Sequence, residues 1–165
     1  AIEILQPPRV RSREFLSALL FLVFLHVLFF HSIFGGGLLF GSDTVLTSYP
    51  ALSFAHDFYQ KFGRVPYWDP YSDCGYPFFA TYPWISLYPP VRWLLGLPPV
   101  FLLNVLPLLH SLFGAVFAYL TFRSFSRSVA AGLLGATLFS FAGTLPLRLY
   151  AGHISAIFVL CWAPL

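Results

Sequence analysis

The sequence predicts an all-α protein that crosses a membrane several times as a helix bundle. Of its 165 residues, 58% are hydrophobic and only 9% are charged, whereas a soluble domain is about one-quarter charged. The uncharged residues are gathered into separate runs, each long enough to cross a bilayer. This composition excludes a soluble globular domain and an intrinsically disordered chain, and the chain lacks the basic charge of a nucleic-acid-binding protein. We therefore expect membrane lipid, and no nucleic acid, among its partners.

Four uncharged runs predict the membrane helices, at about residues 15–34, 99–122, 128–147 and 154–165. At about 1.5 Å per residue, the first run already covers a hydrocarbon core of roughly 30 Å. In the third run, small residues four positions apart predict a face on which another helix packs closely; they are Ala131, Gly132, Gly135 and Ala136. The fourth run is still apolar where the sequence stops. We expect residues 1–165 to be a single transmembrane domain, the amino-terminal fragment of a longer protein.

The basic residues predict which helix ends lie in the cytoplasm, because short cytoplasmic flanks of membrane helices are enriched in Lys and Arg. Five arginines occupy two such flanks, namely Arg9, Arg11, Arg13, Arg123 and Arg127. We therefore predict a multi-pass protein of the cell membrane with a cytoplasmic N-terminus. In this orientation, residues 35–98 form a large first extracytoplasmic loop.

This loop is expected to be ordered. Residues 49–62 place apolar side chains three and four positions apart, which predicts an amphipathic helix lying flat on the outer membrane surface. Ser48 is expected to cap that helix and Gly63 to end it. Residues 64–98 then repeat a Tyr-Pro dipeptide every six positions. Because proline restricts the residue before it to extended geometry, we expect an aromatic-rich loop at the membrane interface.

Asp43 is the first candidate for chemistry. It follows the predicted outer end of the first helix, behind Gly41 and beside apolar residues. A carboxylate that loses part of its hydration there becomes a stronger proton acceptor, which suits a general base. The alternative is that Ser42 or Asp43 caps the turn that leads into the next helix.

Asp69 and Asp73 form the second candidate group. One of them could join Asp43 around a divalent cation or an acceptor hydroxyl, because carboxylates are ligands for both. The alternative is structural, since Asp69 precedes Pro70 and Asp before Pro commonly starts a turn. We assign no metal ligands, because neither Cys nor His recurs at a metal-binding spacing.

Arg148, Tyr150 and His153 form the third group, at the predicted outer end of the third run. The planar guanidinium of arginine donates two hydrogen bonds at once to a phosphate, and His153 could add another donor. The alternative is an interfacial anchor that extends to the lipid headgroups. The histidines inside the apolar runs are expected to be packed and hydrogen-bonded; they are His26, His31 and His110.

Seven short motifs follow one another along the chain: Phe40-Gly41-Ser42-Asp43-Thr44, Tyr49-Pro50, Gly63-Arg64-Val65-Pro66-Tyr67-Trp68-Asp69-Pro70-Tyr71, Gly75-Tyr76-Pro77, Tyr88-Pro89, Ala151-Gly152-His153 and Trp162-Ala163-Pro164-Leu165. In their order and spacing, the chain from about residue 15 to its end resembles the amino-terminal part of the YfhO-like bacterial membrane proteins. This family is similar to the GT-C superfamily of polytopic glycosyltransferases. One departure is Asp69, where the family pattern has Asn.

The resemblance implies an enzyme that takes a sugar from a polyprenyl-phosphate donor and passes it to a cell-envelope acceptor outside the cytoplasm. Asp43 matches the catalytic Asp of the superfamily and would remove the proton of the acceptor hydroxyl. Cations would stabilise the phosphate that leaves, and the proposal requires Asp43 to face the basic residues of the 148–153 turn across a cavity at the outer leaflet. The residues expected to contact the substrate are Arg148, His153, Tyr150, Lys61, Arg64, Asp69 and Asp73.

Two alternatives remain open at the level of sequence. One is a non-catalytic membrane protein that binds or transports a lipid-linked substrate, with the same cations but without Asp43 as a base. The other is a purely structural subunit. The sequence does not decide whether a divalent cation is a cofactor.

Overall fold

The computed structural model describes residues 11–39 and 41–165, and over these ranges the regular structure is entirely helical. The strand-like pairing within them is a single antiparallel bridge between Asp69 and Tyr76. Arg9, counted above among the cytoplasmic cations, and Phe40, the first residue of a motif, lie outside the described residues.

Ten α-helices and one π-helical turn follow one another along the described chain. They are α1 (Ser12–Phe29), α2 (His31–Phe34), the π-helical turn (Thr44–Ser48), α3 (Tyr49–Phe62), α4 (Phe78–Thr81), α5 (Pro83–Ser86), α6 (Pro89–Leu94), α7 (Pro99–Ser126), α8 (Val129–Phe141), α9 (Thr144–Ala151) and α10 (Ile154–Trp162).

Three helical stretches of the described chain are long and apolar enough to cross a membrane. They are Ser12–Phe29, Pro99–Ser126 and Val129–Ala151. Large apolar side chains of α1 are exposed, among them Leu16, Leu20 and Phe24. Soluble proteins rarely expose large apolar surfaces to water, whereas the hydrocarbon core of a bilayer would cover them. The predicted all-helical class is confirmed over the described residues, with three candidate membrane-spanning helices.

The third predicted run is divided rather than continuous. Helix α8 ends at Phe141, and α9 starts at Thr144 and continues to Ala151, beyond the predicted end at residue 147. Between them, Gly143 has a φ of 117°. That conformation lies outside the right-handed helical region and is open to glycine at little cost, so the helix must end before it.

Buried apolar side chains form two clusters. The first joins α1, α7 and α8 and contains Ala18, Leu22, Ala115, Ala118, Tyr119 and Ala136. A Cβ atom built on Gly132 would lie 3.0 Å from the Tyr119 ring, and one on Gly135 would lie 2.3 Å from the Phe122 ring. The small residues of α8 therefore admit α7 at close range, as predicted for this face.

The second cluster joins α3, the segment after it, α7 and α10. Its buried members include Ala51, Leu52 and Ala55 from α3, so this helix packs one face against protein. Helix α3 has the predicted bounds. It ends at Gly63, which has a φ of 67° and whose N–H donates to the Tyr59 carbonyl at 2.8 Å, as expected.

The predicted cap at Ser48 is wrong. Ser48 is itself helical, with φ −70° and ψ −42°, and its side chain makes no capping hydrogen bond. The reason is that the π-helical turn runs directly into α3. The first turn of α3 therefore continues an existing helical segment. It is not a free helix end whose N–H groups need a side-chain cap.

Residues 64–98 hold three short helices, α4 to α6, in place of one continuous loop. Pro83 and Pro89 are the first residues of α5 and α6. Proline suits this position because its fixed φ matches a helix and its missing N–H needs no partner there. The tyrosines before them, Tyr82 and Tyr88, are non-helical as expected.

Two of the three histidines predicted to be packed and hydrogen-bonded, His26 and His110, are so, whereas the third, His31, is exposed, with Nδ1 2.9 Å from the Leu28 carbonyl oxygen. His26 Nδ1 lies 2.8 Å from the Leu22 carbonyl oxygen, and its Nε2 lies 3.1 Å from Ser111 Oγ on α7. His110 Nε2 lies 2.6 Å from the Tyr88 hydroxyl. These contacts tie α1 and the Tyr-Pro segment to the longest helix of the described chain.

Candidate functional site

The structure brings three of the predicted site residues together. His153 Nε2 lies 3.1 Å from Asp43 Oδ2, and an Arg148 guanidinium nitrogen lies 2.9 Å from His153 Nδ1. The chain separates Asp43 from the other two by more than a hundred residues. We call Asp43, His153 and Arg148 the acid–imidazole–arginine group.

The chemistry of arginine assigns the proton of His153. A guanidinium only donates hydrogen bonds, so His153 Nδ1 must accept and its proton must lie on Nε2. The Nε2–H then donates to Asp43 Oδ2. The hydrogen bonds of the group therefore form a directed chain from Arg148 through His153 to Asp43. Among the described residues, the hydrogen-bond partner of Asp43 Oδ1 is the Ser42 hydroxyl, at 3.5 Å.

The end of α9 sets the spacing of Arg148 and His153. The N–H of Gly152 donates to the Leu149 carbonyl at 3.0 Å, and the N–H of His153 donates to the Arg148 carbonyl at 2.9 Å. This pair of bonds is a C-terminal capping turn that requires a left-handed residue, and Gly152 supplies it with a φ of 85°. The turn brings the side chains of residues 148 and 153 to the same side.

Two glycines allow the Asp43 segment to approach this turn. A Cβ atom on Gly41 would lie 2.4 Å from the backbone nitrogen of Gly152. One on Gly152 would lie 2.3 Å from the backbone nitrogen of Thr44. The two backbones are therefore in direct contact, and no side chain fits between them. This contact holds Asp43 within reach of His153.

Asp43 does not act as a cap. It precedes the π-helical turn, but its side chain makes no capping hydrogen bond there. The Thr47 hydroxyl donates instead to the backbone carbonyl of Asp43. The carboxylate is thus turned away from the helix end and toward His153, which favours the functional interpretation of this residue.

Asn104 on α7 also positions this segment, and sequence reasoning missed it. Its amide nitrogen donates to the Gly37 carbonyl, and its amide oxygen accepts from the Leu39 N–H, both at 2.8 Å. The Asn104 amide thus pairs with the backbone of the segment that leads to Asp43 through one donated and one accepted hydrogen bond, as a neighbouring β-strand would. A buried Asn in an apolar run, needing partners, was the available signal, but its partners lie 65 and 67 residues away.

Two members of the group, Asp43 and His153, border a cavity of about 400 Å³. The first residues of α10, including Ser155, also line it. The side chains of His153 and Asp43 are 40% and 47% exposed. A ligand can therefore reach the carboxylate directly, beside the N-terminus of a helix, which favours negative charge.

Asp69 has a structural contact set. It is 4% exposed, its Oδ1 accepts from the Tyr71 N–H at 2.8 Å, and its Oδ2 accepts from the Ser72 hydroxyl at 3.2 Å. This is the turn predicted as the alternative. Asp73 lies on the same turn in a left-handed conformation, with a φ of 48°. Asp69 and Asp73 line a second cavity, of about 540 Å³, whereas Asp43 does not.

The other predicted substrate contacts do not join the group. Lys61 Nζ lies 5.3 Å from the centre of the Phe62 ring, and the guanidinium carbon of Arg64 lies 6.0 Å from that of Phe58. Both are at the far end of α3 from Asp43. Tyr150 is 78% exposed on the outside of α9. Within residues 11–39 and 41–165, no group of three or more His, Cys, Asp or Glu could hold a metal ion.

A second charged group lies at the other end of the bundle and was also missed. Glu14 of α1 accepts from Arg123 Nε at 2.7 Å and from the Tyr119 hydroxyl at 3.1 Å, both on α7. The side chains of Arg123 and Glu14 are only 11% and 18% exposed. We call these three residues the buried ion-pair group. Sequence reasoning counted Arg123 as a cytoplasmic flank and did not pair it.

Comparison of the chain with protein-family models, with curated proteins and with solved structures finds no match in any of the three.

Proposed function

We propose that this protein transfers a sugar from a polyprenyl-phosphate donor to an acceptor hydroxyl at the outer face of the cell membrane, with Asp43 as the general base. The observation that carries the proposal is the acid–imidazole–arginine group, in which Asp43 and His153 line a cavity. It joins a carboxylate to an imidazole and a guanidinium, two side chains that suit a phosphate, at one end of a bundle with three candidate membrane spans.

The geometry supports a division of labour between the two oxygens of Asp43. Oδ2 accepts the Nε2–H of His153 and is held by it. Oδ1 is left to accept the proton of the acceptor hydroxyl. The acceptor oxygen then forms a bond to the anomeric carbon, and the bond between that carbon and the phosphate oxygen breaks. The phosphate leaves with the bonding electron pair and needs no proton, because it is already a weak base.

Cations and dipoles near the group would stabilise the leaving phosphate. Arg148 is exposed and uses one guanidinium nitrogen on His153. The rest of its planar fork remains for phosphate oxygens. The N-terminus of α10 adds a favourable dipole on the same side of the cavity. The polyprenyl tail of the donor would lie in the bilayer, next to the three candidate membrane spans.

The proposed orientation follows from the same arrangement. Arg123 and Arg127 precede α8, and Gly152 follows α9, so a membrane span separates these arginines from the acid–imidazole–arginine group. Placing the arginines in the cytoplasm puts Asp43 outside and the N-terminus inside. The fold would then be GT-C-like, with a large first outer loop that carries α3 at the interface.

A second candidate is a non-catalytic protein that binds or transports a lipid-linked substrate. The exposure of Asp43 and His153 favours it, because a glycosyl-transfer site has to keep water from competing with the acceptor. Such a protein would use Arg148 and His153 on the phosphate and would not need Asp43 as a base.

The substitution Asp43→Asn separates the two candidates. It keeps an oxygen that accepts from His153 but removes the basic carboxylate. If Asp43 is the base, transfer from labelled polyprenyl-phosphate sugars to the cell envelope should fall by about 10²- to 10⁴-fold at unchanged protein level. The matched control is Asp57→Asn, at an exposed carboxylate of α3 that lies outside the group. Transfer that survives in Asp43→Asn would exclude the enzyme and favour the transporter.

A further inference from the structure

Two cavities adjoin in the outer part of the molecule, and they differ in chemistry. The smaller contains Asp43 and His153, and the larger contains Asp69 and Asp73. They share Thr47, Thr81 and Tyr82 in their walls. A ligand in the larger cavity therefore lies directly beside the space in front of Asp43.

The wall of the larger cavity combines aromatic rings with hydroxyls and carboxylates. Tyr71, Tyr76 and Tyr82 contribute rings, and the exposed Asp73 contributes a carboxylate. Among the described residues, no Lys or Arg lines it. Ring faces pack on the apolar faces of a sugar, while carboxylates and phenols hydrogen-bond its hydroxyls. Two aspartates without a cation disfavour an anion.

The backbone holds these side chains in place. Asp69 and Tyr76 exchange two backbone hydrogen bonds of 3.0 Å, and the Asp69 carboxylate closes the turn onto Tyr71 and Ser72. A Cβ atom on Gly75 would lie 2.8 Å from the Trp68 ring, so the indole covers the turn closely. Such a turn fixes the backbone around Asp73 before a ligand binds, which lowers the ordering cost of binding.

Tyr76 stays a hydroxyl donor under all ordinary conditions. Burial, and then the neighbouring Tyr82 hydroxyl, raise the pKa of Tyr76 well above its usual value. The rings of Tyr76 and Tyr82 meet edge to face, with centroids 6.2 Å apart. The larger cavity thus offers phenol rings and one exposed carboxylate, that of Asp73.

We propose that the larger cavity binds the acceptor, and that the acceptor is a neutral sugar ring. It would pack against the tyrosines, hydrogen-bond to Asp73, and extend one hydroxyl past Thr47 and Tyr82 toward Asp43. The inference rests on the proposed function for what happens to that hydroxyl. The binding itself depends only on the larger cavity.

A charge series of methyl glycosides tests the site. Neutral methyl glycosides of gluco, galacto and manno configuration, with their uronate and amino counterparts, are titrated onto the protein in lipid nanodiscs, followed by saturation-transfer NMR. We expect at least one neutral glycoside to bind at least about tenfold more tightly than its uronate, because the carboxylates repel a second negative charge. If the uronates bind equally well, if an amino glycoside binds best, or if none binds, the proposal fails.

Two variants locate the binding. Asp73→Asn should reduce the difference in affinity between the neutral glycoside and its uronate. Asn tolerates the left-handed backbone of this position, so the fold should be retained. Asp57→Asn, at an exposed carboxylate outside the cavity, should leave this difference in affinity unchanged. Tyr71→Ala should lower the affinity for the neutral glycoside, because it removes an exposed aromatic ring. If Asp73→Asn leaves the difference in affinity intact, the glycoside binds elsewhere.

The titrations contain no donor, so their outcome is independent of transfer. If the protein shows no preference for the neutral glycoside, the proposed acceptor site is wrong, but the proposed role of Asp43 as a base is unaffected. If transfer is unchanged in Asp43→Asn, the proposed base is wrong, but the proposed acceptor site is unaffected.

Discussion

The two ends of the helix bundle use the same residue types in opposite ways. In the buried ion-pair group, Arg123 donates directly to Glu14 at 2.7 Å, and both side chains are almost covered. In the acid–imidazole–arginine group, His153 stands between Arg148 and Asp43, and the carboxylate is about half exposed. One carboxylate is closed off by its partners, whereas the other keeps an oxygen open to a cavity.

The difference teaches which features separate a structural charge from a chemical one. Glu14 accepts from both Arg123 and Tyr119 and so connects α1 to α7. One nitrogen of Arg123, Nη1, is buried without a hydrogen-bond partner among the described residues. This is a costly arrangement, and it is sustained by packing around it. Asp43 instead has one oxygen held by His153 and a second oxygen whose partner, among the described residues, is the Ser42 hydroxyl at 3.5 Å. A carboxylate with a weakly held oxygen suits a base.

The largest effect on stability is expected from Arg123→Ala. Removing Arg123 leaves the Glu14 carboxylate between two helices without its cation, and breaking such a pair shifts a folding equilibrium by at least about tenfold. The measurement is unfolding in detergent micelles, followed by circular dichroism. The control is Arg13→Ala, at an exposed arginine one residue before Glu14. Equal stability of the two variants would show that the buried pair does not hold α1 to α7.

A smaller effect is expected from Gly152→Ala, with Gly63→Ala as its control. Both glycines end a helix in the left-handed conformation, so alanine should cost about 1 kcal/mol at each. A Cβ atom on Gly63 meets nothing within 4 Å, whereas one on Gly152 would lie 2.3 Å from the Thr44 nitrogen. We therefore expect Gly152→Ala to lose more stability than Gly63→Ala.

The pair also tests the site. Because Gly152→Ala pushes the Asp43 segment away from the turn, we expect it to reduce sugar transfer, while Gly63→Ala retains it. Equal losses of stability in both variants would mean that the two backbones separate without cost. The contact between residues 41–44 and 149–152 would then not position Asp43.

Much of the fold was predictable because it depends on local patterns. The uncharged runs located the long helices, and the apolar spacing of residues 49–62 gave the bounds of α3. The break at Gly143 was not predicted, because hydropathy carries no information on backbone dihedral angles. The Ser48 cap was wrong because the sequence did not indicate a π-helical turn before α3.

The site was predictable in its residue types and less so in its connections. Asp43, Arg148 and His153 were identified, and the structure joins them. The imidazole bridge, the Asn104 contacts and the Glu14 pair were missed. Each of these joins residues that are far apart in the sequence, so no local spacing reveals them. Lys61 and Arg64 were chosen by their side of the membrane alone, which does not fix distance.

The smallest effect on stability, and the most specific one, is expected from Arg148→Ala. The side chain is exposed, so stability should change by less than about 0.5 kcal/mol. The substitution removes the donor that makes His153 Nδ1 an acceptor, so the imidazole proton is no longer confined to Nε2. Nitrogen-15 chemical shifts of the His153 ring report this directly. The unaltered protein should show a protonated Nε2 and an unprotonated Nδ1, and Arg148→Ala should show a mixture of tautomers.

Arg148→Lys is the control. It restores a hydrogen-bond donor and should recover much of the preference for the tautomer with its proton on Nε2. A protonated Nδ1 in the unaltered protein would contradict the directed chain from Arg148 to Asp43, and with it the division of labour between the two carboxylate oxygens.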